Sequence, residues 1–319
     1  MIKVGLLGLG AVSLKHELAI RETAGMELAV CCDLEASAIG DYPLVRSVEE
    51  MLEYDLDLVA ICTPPATHAT LAVQCMEGGC HVLIEKPITL DHDEALWICD
   101  TAEKLGKHAF EMKQYRSSPL ISQLKNAIGA GALGNIRQVL GTMQWCRHEE
   151  YFTGWRGQPH KDGGVFASQG CHIVDLMHHL GGPVRRLQTR FWNEMKLPCE
   201  DSGYAYLEYE NGARGLMELT IAARPKNIEA SISVLGSEGS VVIGGAKLDT
   251  LVTWECEYPR PAPTDVELHT HHYRAVLHAV RNGITPRTVV PCYDAALAVR
   301  LTHNLYISSK EPNQLHEAV

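Results

Sequence analysis

Three short strings in this 319-residue sequence combine residue types that could do chemistry. Gly8-Leu9-Gly10-Ala11-Val12-Ser13 sets two glycines where a backbone must turn tightly and let an anion approach its N–H groups. Glu85-Lys86-Pro87 fixes an ammonium before a proline, which restricts the backbone of the lysine. Gly163-Gly164, then Ser168-Gln169-Gly170-Cys171-His172-Ile173-Val174-Asp175, puts an imidazole among apolar neighbours. On one helix Ser168, His172 and Asp175 stand at i, i+4 and i+7 and share a face. The chemistry these types allow is a pyrophosphate cradle, a cation that stabilises developing negative charge, and a base that takes a proton near neutrality.

Such groups need a frame. Up to Met112 apolar runs alternate with helical patterns: strands over Ile2 to Leu9, Met26 to Asp33, Leu56 to Cys62, His81 to Glu85 and His108 to Met112, with helices over Val12 to Thr23, Ser47 to Tyr54, Thr67 to Gly78 and Asp91 to Leu105. Runs such as VGLLGL, LAVCC and LVAIC are nearly all apolar, as a parallel sheet covered on both faces requires. After Ser118 the pattern changes. Helices are expected at Gln123 to Ile128, Gly164 to Leu180, His271 to Asn282 and Tyr293 to Ser308, and strands at Arg137 to Trp145, Val184 to Trp192, Gly203 to Tyr209, Ala213 to Ile221, Ala230 to Leu235 and Ser240 to Ile243. Asn211-Gly212 reads as a type I′ hairpin turn, whose two central residues both need positive φ. The fold class is therefore α/β: a Rossmann-type doubly wound parallel sheet over 1–118, then an α+β domain over 119–319 with a large, mostly antiparallel open sheet.

Composition narrows the function classes. Hydrophobic residues make up 46% and charged residues 21%, enough for large cores and unlike a disordered, collagenous or coiled-coil chain. The net charge of −11 has the wrong sign for a chain held by phosphate neutralisation, so no nucleic-acid partner is expected. No apolar run approaches the ~20 residues of a membrane span, and the start, MIKVGLLGLGAV, reads as a strand, not a signal segment. The eleven cysteines show no zinc-like spacing and sit in apolar stretches like reduced core thiols, so a cytoplasmic location is expected. His269, His271 and His272 lack a supporting cysteine or carboxylate spacing, and no metal is expected. His178 and His179 end their helix near its negative pole.

The glycine string follows a strand, opens a helix, and is followed 20 residues after Ser13 by Asp33 at the end of the second strand. A carboxylate there accepts from a ribose 2′-OH and repels a 2′-phosphate, which favours NAD over NADP. Glu85-Lys86-Pro87, and Thr63-Pro64-Pro65 with His68, fall at the carboxyl edge of the same sheet, where ligands of open parallel sheets bind.

Together, the glycine loop, TPPATH, EKP and the strand-rich second half resemble the Gfo/Idh/MocA oxidoreductases, over essentially the whole chain. The resemblance implies NAD-dependent oxidation of a sugar hydroxyl, with Lys86 near nicotinamide and substrate and His172 as the base. Many relatives carry aspartate four residues before this histidine, whereas Ser168 stands here, so His172 and Lys86 must suffice. Trp155-Arg156-Gly157, Asp162-Gly163-Gly164 and Gln169-Gly170 look like the 3-dehydrogenases of UDP-linked amino sugars, whose keto product feeds an aminotransferase.

That resemblance implies cofactor contacts from Gly8, Gly10, Ala11, Val12, Asp33, Thr63, Pro64, His68, Glu85, Lys86, Trp155 and Arg156. It implies substrate contacts from Lys86, Lys113, Arg116, Tyr151, Gln169 and His172, with Arg147, Arg156 and Lys161 adding to the cations that a diphosphate needs. UDP-N-acetylglucosamine is the expected substrate, because no extra arginine can be assigned to a C6 carboxylate. The alternatives are its uronate, a free sugar or inositol, and a non-catalytic NAD-binding regulator. The alternating Tyr204, Tyr206 and Glu208 strand leaves a partly apolar sheet face for a second copy, so a homo-oligomer, dimer or tetramer, is expected.

Overall fold

A computed structural model describes residues 1–262 and 267–318, in two compact units. In the first, β1 (Ile2–Leu7) leads into α1 (Ser13–Arg21), followed by β2 (Met26–Cys32), β3 (Leu44–Val45), α2 (Val48–Leu52), β4 (Leu58–Ile61), α3 (His68–Glu77), β5 (His81–Ile84), α4 (His92–Leu105) and β6 (Ala109–Glu111). The strands lie in the order β6-β5-β4-β1-β2-β3, all parallel. Leu58, Val59, Ala60 and Ile61 of the central β4 are all buried, as the unbroken apolar run demands. Asp91 caps α4 by accepting from the backbone N–H of Asp93 and Glu94, and Gly106, at φ 62°, ends it.

The second unit runs through α5 (Pro119–Gly129), β7 (Ile136–Gln144), α6 (Pro159–Asp162), α7 (Val165–Ser168), α8 (Cys171–Gly181), β8 (Val184–Trp192), β9 (Ser202–Tyr209), β10 (Arg214–Thr220), β11 (Glu229–Gly236), β12 (Ser240–Gly244) and β13 (Thr250–Glu255). Its sheet has the order β13-β12-β11-β7-β10-β9-β8, antiparallel except for the β7–β10 pair. Met217 and Leu219 of β10 point into the core while Leu216 and Glu218 point out. Gly141 lets α8 lie close on β7: a Cβ there would stand 2.7 Å from Ile173 Cγ2 and 2.9 Å from Met177 Sδ.

The chain then returns. α9 (Leu268–Asn282) and β14 (Val290–Pro291) belong to the first unit, which runs on to Leu297, and β14 pairs antiparallel with β6. α10 (Cys292–Ser309) continues into the second unit, whose sheet β15 (His316–Glu317) closes against β8. A second domain covering the whole of 119–319 is thus corrected: α9 packs on α1 and carries a core face of Tyr273, Val276 and Leu277 into the first unit.

Two local expectations also change. The helix foreseen from Gly164 to Leu180 is broken between α7 and α8, because the N–H of Gly170 turns back to the carbonyl of Val165. Glycine is needed there, since a Cβ would stand 2.4 Å from Leu219 Cδ1. Ser168 and His172 therefore do not share one helix, and the Ser168 hydroxyl donates to the Gly164 carbonyl (2.9 Å). In the β9–β10 hairpin only Gly212 has positive φ (87°); Asn211 instead accepts the Ala213 N–H on its side chain, so the turn is not type I′.

Candidate active site and cofactor cradle

At the carboxyl edge of the first sheet, Gly8 adopts φ 93°, and a Cβ on it would stand 2.8 Å from the backbone at Cys62 and Thr63. Gly10 faces open space. No side chain caps α1 and its first turn carries no acid, so the helix N-terminus with Ala11 and Val12 stays available to an anion. Ser13 is buried and donates to the Gly10 carbonyl (2.7 Å), closing the loop in the place of the usual small residue. Asp33 accepts from the backbone N–H of Leu9 (2.7 Å), Glu35 (2.9 Å) and Ala36 (2.8 Å). Burial pushes its carboxyl up, but these bonds outweigh burial and hold it below the usual range, as an anion. The glycine loop, open helix end and ionised Asp33 fit the diphosphate and ribose of NAD.

The neighbouring loops are tied together from behind. His68 is fully buried, with Nδ1 2.9 Å from the Pro87 carbonyl and Nε2 2.9 Å from that of Thr63. It braces the loop of Thr63 and Pro64 against the Lys86-Pro87 segment and leaves no nitrogen for a cofactor, a correction to its expected role. Glu85 is likewise turned inward: Oε1 accepts from His16 Nε2 (2.9 Å) and Oε2 from the Lys86 N–H (3.1 Å). Burial opposes its charge, yet the His16 bond and nearby cations bring its pKa down to about 2. Of that string only Lys86 is not buried. It is half-buried and precedes a cis peptide bond to Pro87.

Lys113 and Arg116 do not serve as diphosphate ligands. Each is only 2% exposed, and Lys113 pairs with Glu111 (3.1 Å) while Arg116 pairs with Asp294 (3.1 Å). A buried cation needs such a partner, and these two are answered within the fold.

In the second unit, His172 opens α8, is only 5% exposed, and has Asp175 one turn further along the same helix. Just before it, the buried Gln169 accepts from Arg147 (2.9 Å) and donates to the Tyr151 hydroxyl (2.7 Å). The guanidinium of Arg147 stands 5.3 Å from the Tyr151 ring centre, and that of Arg156 5.1 Å from it and from the Trp155 ring. Arg147 is otherwise held by the Cys146 carbonyl and Asn227, both neutral. Among the described residues no carboxylate pairs with Arg147 or Arg156. Asp162 fixes the loop by accepting the Gly157 N–H (2.8 Å), and Lys161 is exposed. Glu200 accepts from Tyr306 and from the Phe166 N–H, locking the turn at Gly163-Gly164 where α7 starts.

Sequence reasoning missed His16 and Tyr273, and weighed His269 only together with His271 and His272. Among the described residues the ligand atoms of His16, Glu85 and His269 lie within 4.8 Å of one another, the one cluster of metal-binding types. Hydrogen bonds account for it, since both His16 nitrogens are engaged, one by Glu85 and one by the Tyr273 hydroxyl (2.7 Å). His269 belongs to that cluster, whereas His272 Nδ1 meets Ser117 Oγ (2.9 Å). Among the described residues no helix is long and apolar enough to cross a membrane.

Residues 2–112 match the oxidoreductase family with an NAD-binding Rossmann fold, and residues 121–242 match the GFO/IDH/MocA C-terminal domain. The WlbA dehydrogenase of Bordetella pertussis, solved with NADH and UDP-GlcNAcA, is 28% identical over 99% of this chain and 98% of that one, with a TM-score of 0.89. The Chromobacterium violaceum WlbA, solved with the same ligands, is 30% identical over 99% and 95%, again at 0.89. Levoglucosan dehydrogenase of Pseudarthrobacter phenanthrenivorans is 27% identical over 62% of this chain and 57% of its own length. With both domain families matched in order along one chain, this protein belongs to the Gfo/Idh/MocA family of NAD-dependent oxidoreductases.

Proposed function

We propose that this protein is an NAD-dependent sugar dehydrogenase acting on the C3 hydroxyl of a UDP-linked N-acetylhexosamine. The observation that carries the substrate class is the pair of guanidiniums on Tyr151, without a carboxylate partner among the described residues, beside the segment that leads into His172. Uncompensated arginines on aromatic faces suit the phosphates and carboxylate of an anionic sugar nucleotide. The argument for UDP-N-acetylglucosamine over its uronate rested on having no spare arginine; Arg147 removes it, and the uronate takes precedence. The near full-length likeness to the two WlbA chains points the same way.

His172 takes the hydroxyl proton, while Lys86 orients the alcohol and stabilises the developing alkoxide. When bound, NAD would supply the acceptor for the hydride of the carbinol carbon. Asp33 and the glycine loop would hold its ribose and diphosphate, with Trp155 on the cofactor side and Gln169 on the substrate side. The product is a 3-keto sugar suited to an aminotransferase. Tyr204, Leu216 and Val252, exposed on the eight-stranded sheet, favour a homo-oligomer, and the chain's cysteines and composition favour the cytoplasm.

A second reading, oxidation of a free sugar, is favoured by the internal pairing of Lys113 and Arg116, which removes two cations from the diphosphate count. The test is to incubate the protein with NAD and, separately, the two UDP-sugars, levoglucosan, glucose and myo-inositol, with an aminotransferase and amino donor to draw off product. A 3-amino UDP-sugar found by mass supports the proposal. NADH formed only with free sugars overturns it.

A further inference from the structure

The buried groups behind Glu85-Lys86-Pro87 form a continuous chain. The Tyr273 hydroxyl of α9 meets His16 Nδ1 on α1 at 2.7 Å, His16 Nε2 meets Glu85 Oε1 at 2.9 Å, and Glu85 Oε2 accepts the backbone N–H of Lys86 at 3.1 Å. A carboxylate only accepts, so the hydrogen on this side belongs to Nε2. His16 and Tyr273 are fully buried. Two further anchors follow within three residues: His68 faces the Pro87 carbonyl, and Glu111 accepts the Ile88 N–H at 2.9 Å. Four consecutive residues are thereby tied from the inner side.

We propose that His16 is a positioning residue for Lys86: it holds Glu85 in the one orientation that orders the lysine backbone, and Tyr273 holds the imidazole. This rests on the reading of Lys86 as the group that meets the alcohol. An unbonded carboxylate at this depth is costly, so without His16 it would turn away or take up a proton, and the Lys86 N–H would lose its acceptor. A displacement of about 1 Å at a reacting group costs on the order of a hundredfold in rate. The expected signature is a loss in kcat with NAD affinity kept.

The test uses the full chain and the variants His16→Leu, His16→Gln and Tyr273→Phe. Glutamine keeps a donor near the place of Nε2, leucine keeps only volume, and phenylalanine removes one hydroxyl. With UDP-N-acetylglucosaminuronate, or levoglucosan if that is what the wild type oxidises, His16→Leu should lower kcat at least about tenfold while the NAD dissociation constant stays within about twofold. His16→Gln should recover most of the loss, and Tyr273→Phe should fall between. Acetylation of Lys86 by acetic anhydride, followed by mass spectrometry relative to the other lysines, reads its placement without any substrate. Its rate should change in His16→Leu and return in His16→Gln. Unchanged Lys86 acetylation in His16→Leu, or no recovery with glutamine while NAD binding is intact, overturns the proposal. Lys86→Ala separates the two ideas: retained turnover in that variant defeats the catalytic reading of Lys86 and leaves the acetylation result standing.

Discussion

Charged side chains around the two candidate regions are held on different terms, buried near Lys86 and half-buried near Tyr151. In the first, Glu85 meets His16, Glu111 meets Lys113, and Arg116 meets Asp294, so each is answered within the fold. In the second, Arg147 and Arg156 lean on aromatic faces and neutral oxygens with no carboxylate partner among the described residues. A closed charge network fixes geometry and offers an incoming anion little. An open one retains the attraction that a phosphate or carboxylate can use. The first unit is thus built to hold parts still, and the second to recognise charge.

The contrast breaks most visibly at the reacting groups. Lys86→Ala and His172→Ala should each lower turnover by about 100- to 10,000-fold with NAD binding largely kept, measured by steady-state kinetics and a cofactor titration. Near-normal turnover in either would remove that residue from the chemistry.

Arg147→Met sharpens the contrast next. Losing one charge-assisted contact of about 1.5–3 kcal/mol should raise KM for the UDP-sugar roughly 10- to 100-fold with kcat little changed. Lys113→Met, by contrast, should leave Glu111 buried without its cation and show itself as lost thermal stability. If Lys113→Met raised only KM, the assignment of open and closed charge would be reversed.

A smaller effect is expected at the cofactor. Asp33→Ala should weaken NAD about tenfold and narrow its margin over NADP, read from competitive binding. Equal affinity of the unaltered protein for both cofactors would contradict the role of this carboxylate.

The mildest difference is one of acid tolerance. Burial lowers the pKa of His68, His81, His108, His271 and His272, all in the first unit, with His81 brought to about 4 and His272 to about 3. Below the unfolded value of about 6.5 the unfolded chain binds protons that the folded one refuses, so this stability is lost as pH falls from about 6.5 towards about 3. Glu200, raised by burial in the second unit, has the opposite sign and favours folding in acid. Amide protection, taken as exchange relative to each amide's intrinsic rate at the same pH, should therefore fall in β4 and β5 before β9 and β10 as pH is lowered from 7 to 4.

What could be read from the sequence follows the range of the interactions. The parallel strands, the glycine loop with Asp33 and the edge position of Lys86 are written in local period and spacing, and the structure carries them. Ser168 was placed on the face of His172 because a period of 3.6 knows nothing of the turn back of the Gly170 N–H to Val165 or of the Leu219 side chain that leaves no room for a Cβ at 170. Arg116 looked like a ligand because its partner Asp294 lies 178 residues away; the partner of Lys113, Glu111, stands only two residues before it and was passed over. His16 gave no signal at all, since its meaning lies in Glu85 and Tyr273.

The separation between His16 and Tyr273 is 257 residues. Their bond closes a loop that contains the whole second unit up to β13. During synthesis from the N-terminus, at about 5–20 residues per second, β1 to β6 emerge early, but the helix that completes their core emerges only after β7 to β13. The N-terminal segment must wait, with its α1 core face uncovered, until the inserted stretch 119–264 has been synthesised. A protein shortened at Ser118 would keep every glycine of the cradle and still lack the helix on which that cradle is built.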